Sequence, residues 1–375
     1  MAYIIQLIGV LALLVAFSIL YTSLVIRTST RKPLYSDVTA DFFKSLKAGK
    51  LADTLLQKLP QVPNLKVEPQ VPILKVASAK LPVTEPSRTG YEEIVKPVAP
   101  CPESTSAFLL ILVGSAVNNQ HRRHVVRSTW GNITSYRGFS IKVIFYMGKA
   151  LNATRQEELL LESKTHNDIV QSEIDDGYYN LTLKNLNGFK WAMKECPVAR
   201  FVLKVDDDVF VYPKNTVDYL NTLKVSDEVK LYRGYGMNAN PAYRNKGNKW
   251  YISHEAYKNA TYPPYNLGFA VLFSMKVVKE IHDASFKAPG YFQVKRNFPF
   301  EDVFIGMCAK YLGIVPKFVY DRFFRDPAPF YNAVKGDQCR YLTAIAAHAV
   351  DLDLFYYYMK ASENVRHSSK CLQPT

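Results

Sequence analysis

The five cysteines, Cys101, Cys196, Cys308, Cys339 and Cys371, include no Cys-x-x-Cys pair. That spacing marks most structural zinc sites, and its absence excludes a zinc module. No dense block of Lys and Arg occurs either, although 47 basic residues against 33 acids give a formal charge of +14. A nucleic-acid-binding arm concentrates its charge, so no nucleic-acid partner is expected. A diffuse positive field suits a diphosphate-bearing substrate instead. Between Tyr3 and Ile26 there is no charge at all; Met1-Ala2 brings no Lys or Arg, and no Ala-x-Ala closes the run. A cleavable signal peptide has a basic start, a shorter apolar core and a small-residue site. As a helix the run spans about 36 Å, enough for a bilayer core. A retained transmembrane signal-anchor over residues 3–26 is expected, with residues 1–2 as a short tail.

What is there begins with basic flanks. Arg27, Arg31 and Lys32 lie on the C-terminal side of the anchor and by themselves favour a cytoplasmic bulk. Four glycosylation sequons argue for the secretory lumen, starting at Asn132, Asn152, Asn180 and Asn259. Large domains translocate regardless of local charge, so a lumenal domain is expected. Residues 27–100 read as a stem. Pro33, Pro60, Pro63, Pro69, Pro72, Pro82, Pro86, Pro97 and Pro100 block long helices and sheet interiors. Asp41 to Leu59 reads as a short amphipathic helix within it and the one candidate segment for a homodimer.

The folded domain is expected over 101–375, as an α/β fold. Ala107–Val113 is a continuous apolar run, as a fully buried strand shows. Helices are expected at 118–130, 154–163, 180–194, 213–223 and 275–283, the last capped by Ser274. They alternate with strands at 141–147, 168–170, 201–205, 248–253, 268–273 and 313–319. Such alternation predicts a mostly parallel central sheet with right-handed crossovers, and ligands beyond the carboxyl ends of its strands.

One such end is Phe201-Val-Leu-Lys-Val-Asp206-Asp207-Asp208-Val-Phe-Val211. Kept extended through Val211, it points Asp206 and Asp208 one way and Asp207 the other. Two carboxylates there suit a hard cation, Mg²⁺ or Mn²⁺; an acidic turn between strands is the plain alternative. Glu301-Asp302 opens another helix, where acids are favoured by the dipole and where a general base would be held in a fixed pose. Tyr262-Pro-Pro-Tyr265 is a rigid aromatic turn fit to wall a sugar, with Trp250 nearby in sequence.

Taken together, the motifs resemble the β-1,3-glycosyltransferase family, which includes β-1,3-galactosyltransferases and β-1,3-N-acetylglucosaminyltransferases. The stretches that carry the resemblance run in order from Phe108 to Asp353: Arg123-His-Val-Val-Arg127-Ser-Thr-Trp130-Gly131, Tyr179-Asn-Leu-Thr-Leu-Lys184, Lys204 to Phe210, Tyr262 to Tyr265, and Glu301-Asp-Val-Phe-Ile-Gly306. The family's Cys-Ser-Gly-x-Gly-Tyr is replaced by Asn266-Leu267-Gly268-Phe269-Ala270-Val271, which keeps only Gly268 and puts sugar specificity in doubt.

The resemblance implies a GT-A-type nucleotide-sugar-binding fold, a UDP-sugar donor, Mn²⁺ dependence and inversion at the anomeric carbon. Asp206 and Asp208 are the expected metal ligands, joined by His348 at the position of a family histidine. Asp302 is the expected base, with Glu301 in reserve. Arg123, Arg127, Lys204 and Asp207 are the donor-binding candidates, with helix packing the equal alternative for the two arginines. Trp250, Tyr262, Tyr265 and Gly268 are the acceptor or sugar-wall candidates. The acceptor is expected to be an oligosaccharide on a glycoprotein or glycolipid, with galactose favoured as donor sugar over N-acetylglucosamine, and the setting a Golgi membrane. A catalytically inactive lumenal sugar-binding or chaperone-like relative is the alternative. In the lumen disulfides are expected; Cys308–Cys339 is the expected pair.

Overall fold

A computed structural model describes residues 92–101 and 108–371. The expected anchor over 3–26, the Asp41 to Leu59 helix and most of the stem lie outside them. Among the described residues no helix is long and apolar enough to cross a membrane.

In chain order the elements are β1 (Glu93–Val95), β2 (Phe108–Gly114), α1 (Gln120–Ser128), β3 (Ser135–Tyr136), β4 (Phe139–Lys149), α2 (Ala153–His166), β5 (Ile169–Asp175), α3 (Leu181–Glu195), β6 (Phe201–Asp206), β7 (Val209–Val211), α4 (Pro213–Asn221) and α5 (Val225–Val229). There follow β8 (Tyr232–Met237), β9 (Tyr265–Ser274), α6 (Met275–Ala284), α7 (Ala288–Phe292), α8 (Glu301–Tyr311), β10 (Lys317–Phe318), β11 (Phe323–Phe324), α9 (Pro327–Gly336), β12 (Ala346–His348) and α10 (Phe355–Arg366).

The main sheet runs β1-β5-β4-β2-β6-β9-β8-β10, with β3 on β4. Strand β2 is its axis and is apolar on both faces. Leu109, Ile111 and Val113 enter one core cluster, and Phe108, Leu110 and Leu112 enter the other. A strand with two covered faces reads as an unbroken apolar run rather than an alternating one. The pairs β5–β4, β4–β2 and β2–β6 are parallel. Beyond β6 the sheet reverses: β6–β9 and β8–β9 are antiparallel. The expected mostly parallel sheet is therefore a mixed one, because β9 follows β8 with no helix between them and inserts antiparallel between β8 and β6.

Other boundaries shift as well. Glu93–Val95, assigned by composition to the stem, pairs antiparallel with β5 and extends the sheet. Val209–Val211 does not continue β6. The chain turns at Asp207-Asp208, and β7 joins a second sheet in the order β11-β12-β7. In that sheet His348 lies opposite Val209. Residues 248–250 form a turn, closed by the Asn248 side chain accepting from the Trp250 N–H at 2.8 Å, and the expected strand over 248–253 is reduced to a single bridge between Tyr251 and Tyr243. The strand expected at 313–319 shrinks to Lys317–Phe318, since Pro316 has no N–H to give a ladder. Ser274 does cap α6, accepting from Val277 N–H.

Two disulfides close the ends of the fold. Cys101–Cys196 ties the segment before β2 to the end of α3, and Cys339–Cys371 ties the turn after α9 to the segment beyond α10. Cys308 is a free, buried thiol on α8. The expected Cys308–Cys339 pair is thereby replaced. Peptide mapping without reductant is expected to return 101–196 and 339–371. Cys308 should take up a thiol label only after denaturation, and a labelled Cys339 in the folded protein would contradict this pairing.

Candidate active site

The carboxyl ends of β2 and β6 lie side by side, with Gly114 opposite Asp206. A Cβ on Gly114 would stand 2.8 Å from the Tyr146 hydroxyl, so glycine lets this strand end lie against the tyrosine. Lys204 and Asp206 are two apart on β6 and share a face. The Lys204 ammonium, 2% exposed, donates to Asp206 Oδ1 at 2.8 Å, to the Gly268 carbonyl and to Glu301 Oε1 at 3.3 Å. Burial alone would lower its pKa; the charge of Asp206, helped by Tyr146 and Glu301, raises it well above the ordinary lysine value. One buried cation thus links the acidic turn to the acidic helix start.

The other two aspartates are not in an extended chain, and the turn sends them to different partners. Asp207 is buried and accepts from Ser115 Oγ at 2.7 Å, Asn119 Nδ2 at 2.9 Å and Arg122 Nη1 at 3.1 Å. Asp208 Oδ2 also meets Arg122 Nη1, at 3.1 Å. Its Oδ1 is buried without a hydrogen-bond partner and lies 3.7 Å from His348 Nε2. His348 Nδ1 lies 2.9 Å from the Arg325 carbonyl, which only a protonated Nδ1 can satisfy. In the neutral ring the Nε2 lone pair is then left facing Asp208. The imidazole stacks on Phe269, centroids 5.1 Å apart.

Glu301 and Asp302 open α8. Asp302 Oδ1 accepts from Val303 N–H at 2.8 Å. Burial first, and the neighbouring Glu301 charge second, raise the Asp302 carboxyl to about 7. The folded chain holds this proton more tightly than the unfolded one. The group's contribution to stability is therefore full below the ordinary aspartate range and lost as pH rises through about 7. Gly268 permits the approach of this pair: a Cβ there would lie 2.0 Å from Glu301 Oε1.

Two cavities meet at Tyr178 and His348, which line both. The first, about 530 Å³, contains Lys204 and all three aspartates along with Lys184 and Lys249. The second, about 480 Å³, contains Glu301, Asp302, Trp250, Tyr262, Tyr265 and Leu267. An acidic turn with a cation next to a carboxyl that titrates near neutrality has the parts for displacement at a sugar carbon: one side for an anionic leaving group, the other for a hydroxyl nucleophile.

Arg123 and Arg127 do not face either cavity. Arg123 is fully buried and forks onto Glu162 at 2.8 and 2.7 Å; it also donates to Ser115 Oγ at 3.1 Å and to the Ala116 carbonyl. Arg127 forks onto Asp168 at 2.8 and 2.9 Å and reaches Glu162 at 2.7 Å. Both are committed to acids, the packing alternative. The arginine that reaches the site is Arg122, which the sequence reading passed over although it stands next to Arg123. Tyr178, Lys184 and Lys249 were also missed. Lys184, the last residue of the Asn-Leu-Thr-Leu-Lys block, donates to Asp176 and to the Ser115 carbonyl. Of the sequons, Asn132, Asn152 and Asn259 are exposed. Asn180 donates to the Asp175 carbonyl at 2.9 Å, and the hydroxyl of its Thr182 is buried against the Phe298 carbonyl, so this sequon is engaged in the fold.

A family model described as Galactosyltransferase matches residues 121–318. A lactosylceramide 1,3-N-acetyl-beta-D-glucosaminyltransferase of Xenopus tropicalis is 32% identical over 71% of this chain and 70% of its own length. A beta-1,3-galactosyltransferase 5 of Pan paniscus is 32% identical over 69% of this chain and 82% of its own. Among solved structures, a glycosyltransferase involved in glycosylation of the major capsid of PBCV-1 is 13% identical, with a TM-score of 0.34, and covers 69% of this chain and 99% of its own. That likeness is too distant to carry an argument.

The two neighbouring arginines should separate by stability. Glu162→Gln leaves the buried Arg123 charge without its carboxylate and is expected to cost about 3–5 kcal/mol. Arg122→Gln, at a half-exposed site, is expected to cost less than about 1 kcal/mol. Urea midpoints measure both; equal losses would refute the assignment of Arg123 as the structural member.

Proposed function

The chain belongs to the galactosyltransferase family, and from that premise we propose that it moves galactose, in preference to N-acetylglucosamine, from a UDP-sugar to the 3-hydroxyl of an acceptor oligosaccharide on a glycoprotein or glycolipid. The observation that carries the reading is the pair of joined cavities, one holding Asp206, Asp207 and Asp208 and the other Glu301 and Asp302. The first cavity takes the nucleotide diphosphate and the second the acceptor sugar. A GT-A-type donor site fits the acidic turn at the carboxyl end of β6.

A divalent cation fits the residues present. Asp208 Oδ1 is a buried oxygen without a partner, and His348 offers it a fixed imidazole nitrogen. Among the described residues no three carboxylate or imidazole groups are gathered tightly enough to hold an ion as they stand. Arg122 sits on the other oxygen of Asp208 and supplies positive charge there. Asp208 and His348 would hold Mn²⁺ or Mg²⁺, with Asp206 beside them. When bound, the ion neutralises charge on the departing diphosphate.

Asp302 is the base. Its carboxylate takes the proton of the acceptor 3-hydroxyl as that oxygen bonds to the anomeric carbon and the carbon–phosphate-oxygen bond to UDP breaks. Attack from the opposite face inverts the centre and gives a β-1,3 linkage. A carboxyl near 7 is matched to this task at neutral pH. Lys204 holds Glu301 and Asp206 in register. Tyr178 and Trp250 offer aromatic faces to the sugar, assisted by the Lys249 ammonium 5.1 Å from the Tyr178 ring centre. We infer a Golgi setting with the domain in the lumen, behind a single-pass type II anchor; the exposed Asn132, Asn152 and Asn259 are in keeping with it.

The test is transfer from a panel of UDP-sugars to β-linked Gal, GalNAc and GlcNAc acceptors, with Mn²⁺ or with EDTA. Turnover is expected to require the metal. kcat/KM should rise about tenfold per pH unit below pH 7 and level above it, and Asp302→Asn should lose about 10²–10⁴-fold while staying folded. Full activity in that variant would remove Asp302 as base, and donor binding without turnover by the wild-type chain would favour an inactive sugar-binding relative.

A second variant tests the link between the acids. Gly268→Ala forces Glu301 off Lys204 and is expected to lower kcat by about tenfold or more, with little change in the far-ultraviolet circular dichroism. Unchanged kcat would show that the contact is dispensable.

A further inference from the structure

A cavity of about 600 Å³ on the same domain is away from the acids. It lies between α9, the turn carrying Cys339, and α10. Its wall presents Tyr331, Lys335, Gln338, Tyr357, Lys360 and Asn364, and no carboxylate. Tyr331 and Tyr357 are 53% and 62% exposed, so both leave ring surface open to a ligand. Lys335 and Lys360 are exposed, and among the described residues neither has a carboxylate within ion-pair distance. In the first active-site cavity, by contrast, Lys204 and Lys184 are both held by acids, while Lys249 faces the rings of Tyr178 and Trp250. The walls are fixed to each other. Cys339–Cys371 joins the turn to the segment after α10. Beneath them Phe330, Tyr341 and Tyr358 pack as an aromatic layer, with Phe330 and Tyr358 centroids 5.2 Å apart. A preformed cavity needs little ordering on binding.

We propose that this cavity is a second saccharide site, selective for an oligosaccharide unit that carries a carboxylate or a sulfate. Ring faces of tyrosine pack on the C–H faces of a sugar. The amides of Gln338 and Asn364 give and take hydrogen bonds from hydroxyls. Two lysines without counter-charges meet a fixed negative group. The wall has no arginine fork of the kind that reads phosphorylated peptides. It is also concave, whereas a membrane-binding face protrudes. Helix α9 connects it to the active site: Arg325 and Asp326, which line the second active-site cavity, immediately precede Pro327 at the start of the helix. A long acceptor could therefore be held at both places. Equally, an acidic neighbouring chain on the same carrier could be held here while a neutral one is extended.

Saturation-transfer NMR and calorimetry on the full-length chain test this with four probes: 3′-sialyllactose for the carboxylate, a 6-sulfated lactose for the sulfate, lactose as the neutral control, and inorganic sulfate. Either charged saccharide is expected to bind at least tenfold more tightly than lactose and than inorganic sulfate, with or without UDP and Mn²⁺ present. The double change Lys335→Gln and Lys360→Gln should lower that affinity at least tenfold, and Tyr357→Ala should lower it separately. In all these variants turnover on a short neutral acceptor should be unchanged. If lactose binds as tightly, if inorganic sulfate matches the saccharides, or if the lysine variant binds as the wild type does, the proposal is wrong.

Discussion

The ammonium of Lys204 is the constraint on which the site depends. It is buried in the middle of the sheet, where an unpaired charge is expensive, and it is kept there by Asp206, the Gly268 carbonyl and Glu301. These three come from β6, β9 and the start of α8. Moving any one of them leaves a buried charge short of a partner. The antiparallel return of β9 beside β6, which breaks the parallel order of the sheet, is what delivers the Gly268 carbonyl to the lysine. The same return carries Leu267 and Phe269, one lining the cavity that holds Glu301 and Asp302 and the other supporting His348. The reversal in the sheet is thus a condition of the site.

A second constraint works through a loop. Arg123 is enclosed, and its guanidinium is spent on Glu162, Ser115 and the 116–117 backbone. That fixes the β2–α1 connection in which Ser115 and Asn119 stand ready for Asp207. Burial alone would raise Glu162; hydrogen bonds and charge from Arg123, then Arg127, outweigh it and hold the carboxyl below its ordinary value. The pair therefore loses its contribution as pH falls through the carboxylate range. Asp207 is held within this supporting frame, and Arg122, at the half-exposed end of the same helix, reaches both Asp207 and Asp208.

The first half of the fold was legible because its strands are buried on both faces and its helices on one, so period and length speak together. The helix start at Ser274 was legible through its cap and the one at Glu301 through the acids of its first turn. What was not legible depends on partners distant in sequence. Val209–Val211 carries the same apolar signal whether it extends β6 or pairs with β12, and only the tertiary turn at Asp207-Asp208 decides. Three residues, Glu93–Val95, cannot announce an edge strand from among prolines. Cysteine pairing follows from proximity, which spacing does not encode: Cys308 is a free, buried thiol inside α8, and Cys339 pairs with Cys371. Arg122 and Arg123 show the same limit at the site. Adjacent helical residues point about 100° apart, and composition says nothing about which one faces the acids.

The altered segment from Asn266 to Val271 can now be weighed residue by residue. Asn266 is turned toward β8, donating through its backbone to the Tyr232 hydroxyl and through its side-chain amide to the Tyr232 carbonyl at 3.4 Å; it is 1% exposed, and its Oδ1 is buried without a partner. Ala270 and Val271 are core residues. Gly268 is retained, and the Lys204 link uses only its carbonyl and its missing Cβ. The charge network therefore does not sense the substitutions around it. Leu267 is different, because it lines the cavity that holds Glu301 and Asp302. An aliphatic side chain there offers no hydrogen bond to a sugar hydroxyl, and rejecting a sugar by apolar shape alone is worth far less than reading a hydroxyl by a hydrogen bond. The departure thus falls on the cavity wall at Leu267 and leaves intact the contacts of Lys204 with Asp206 and Glu301.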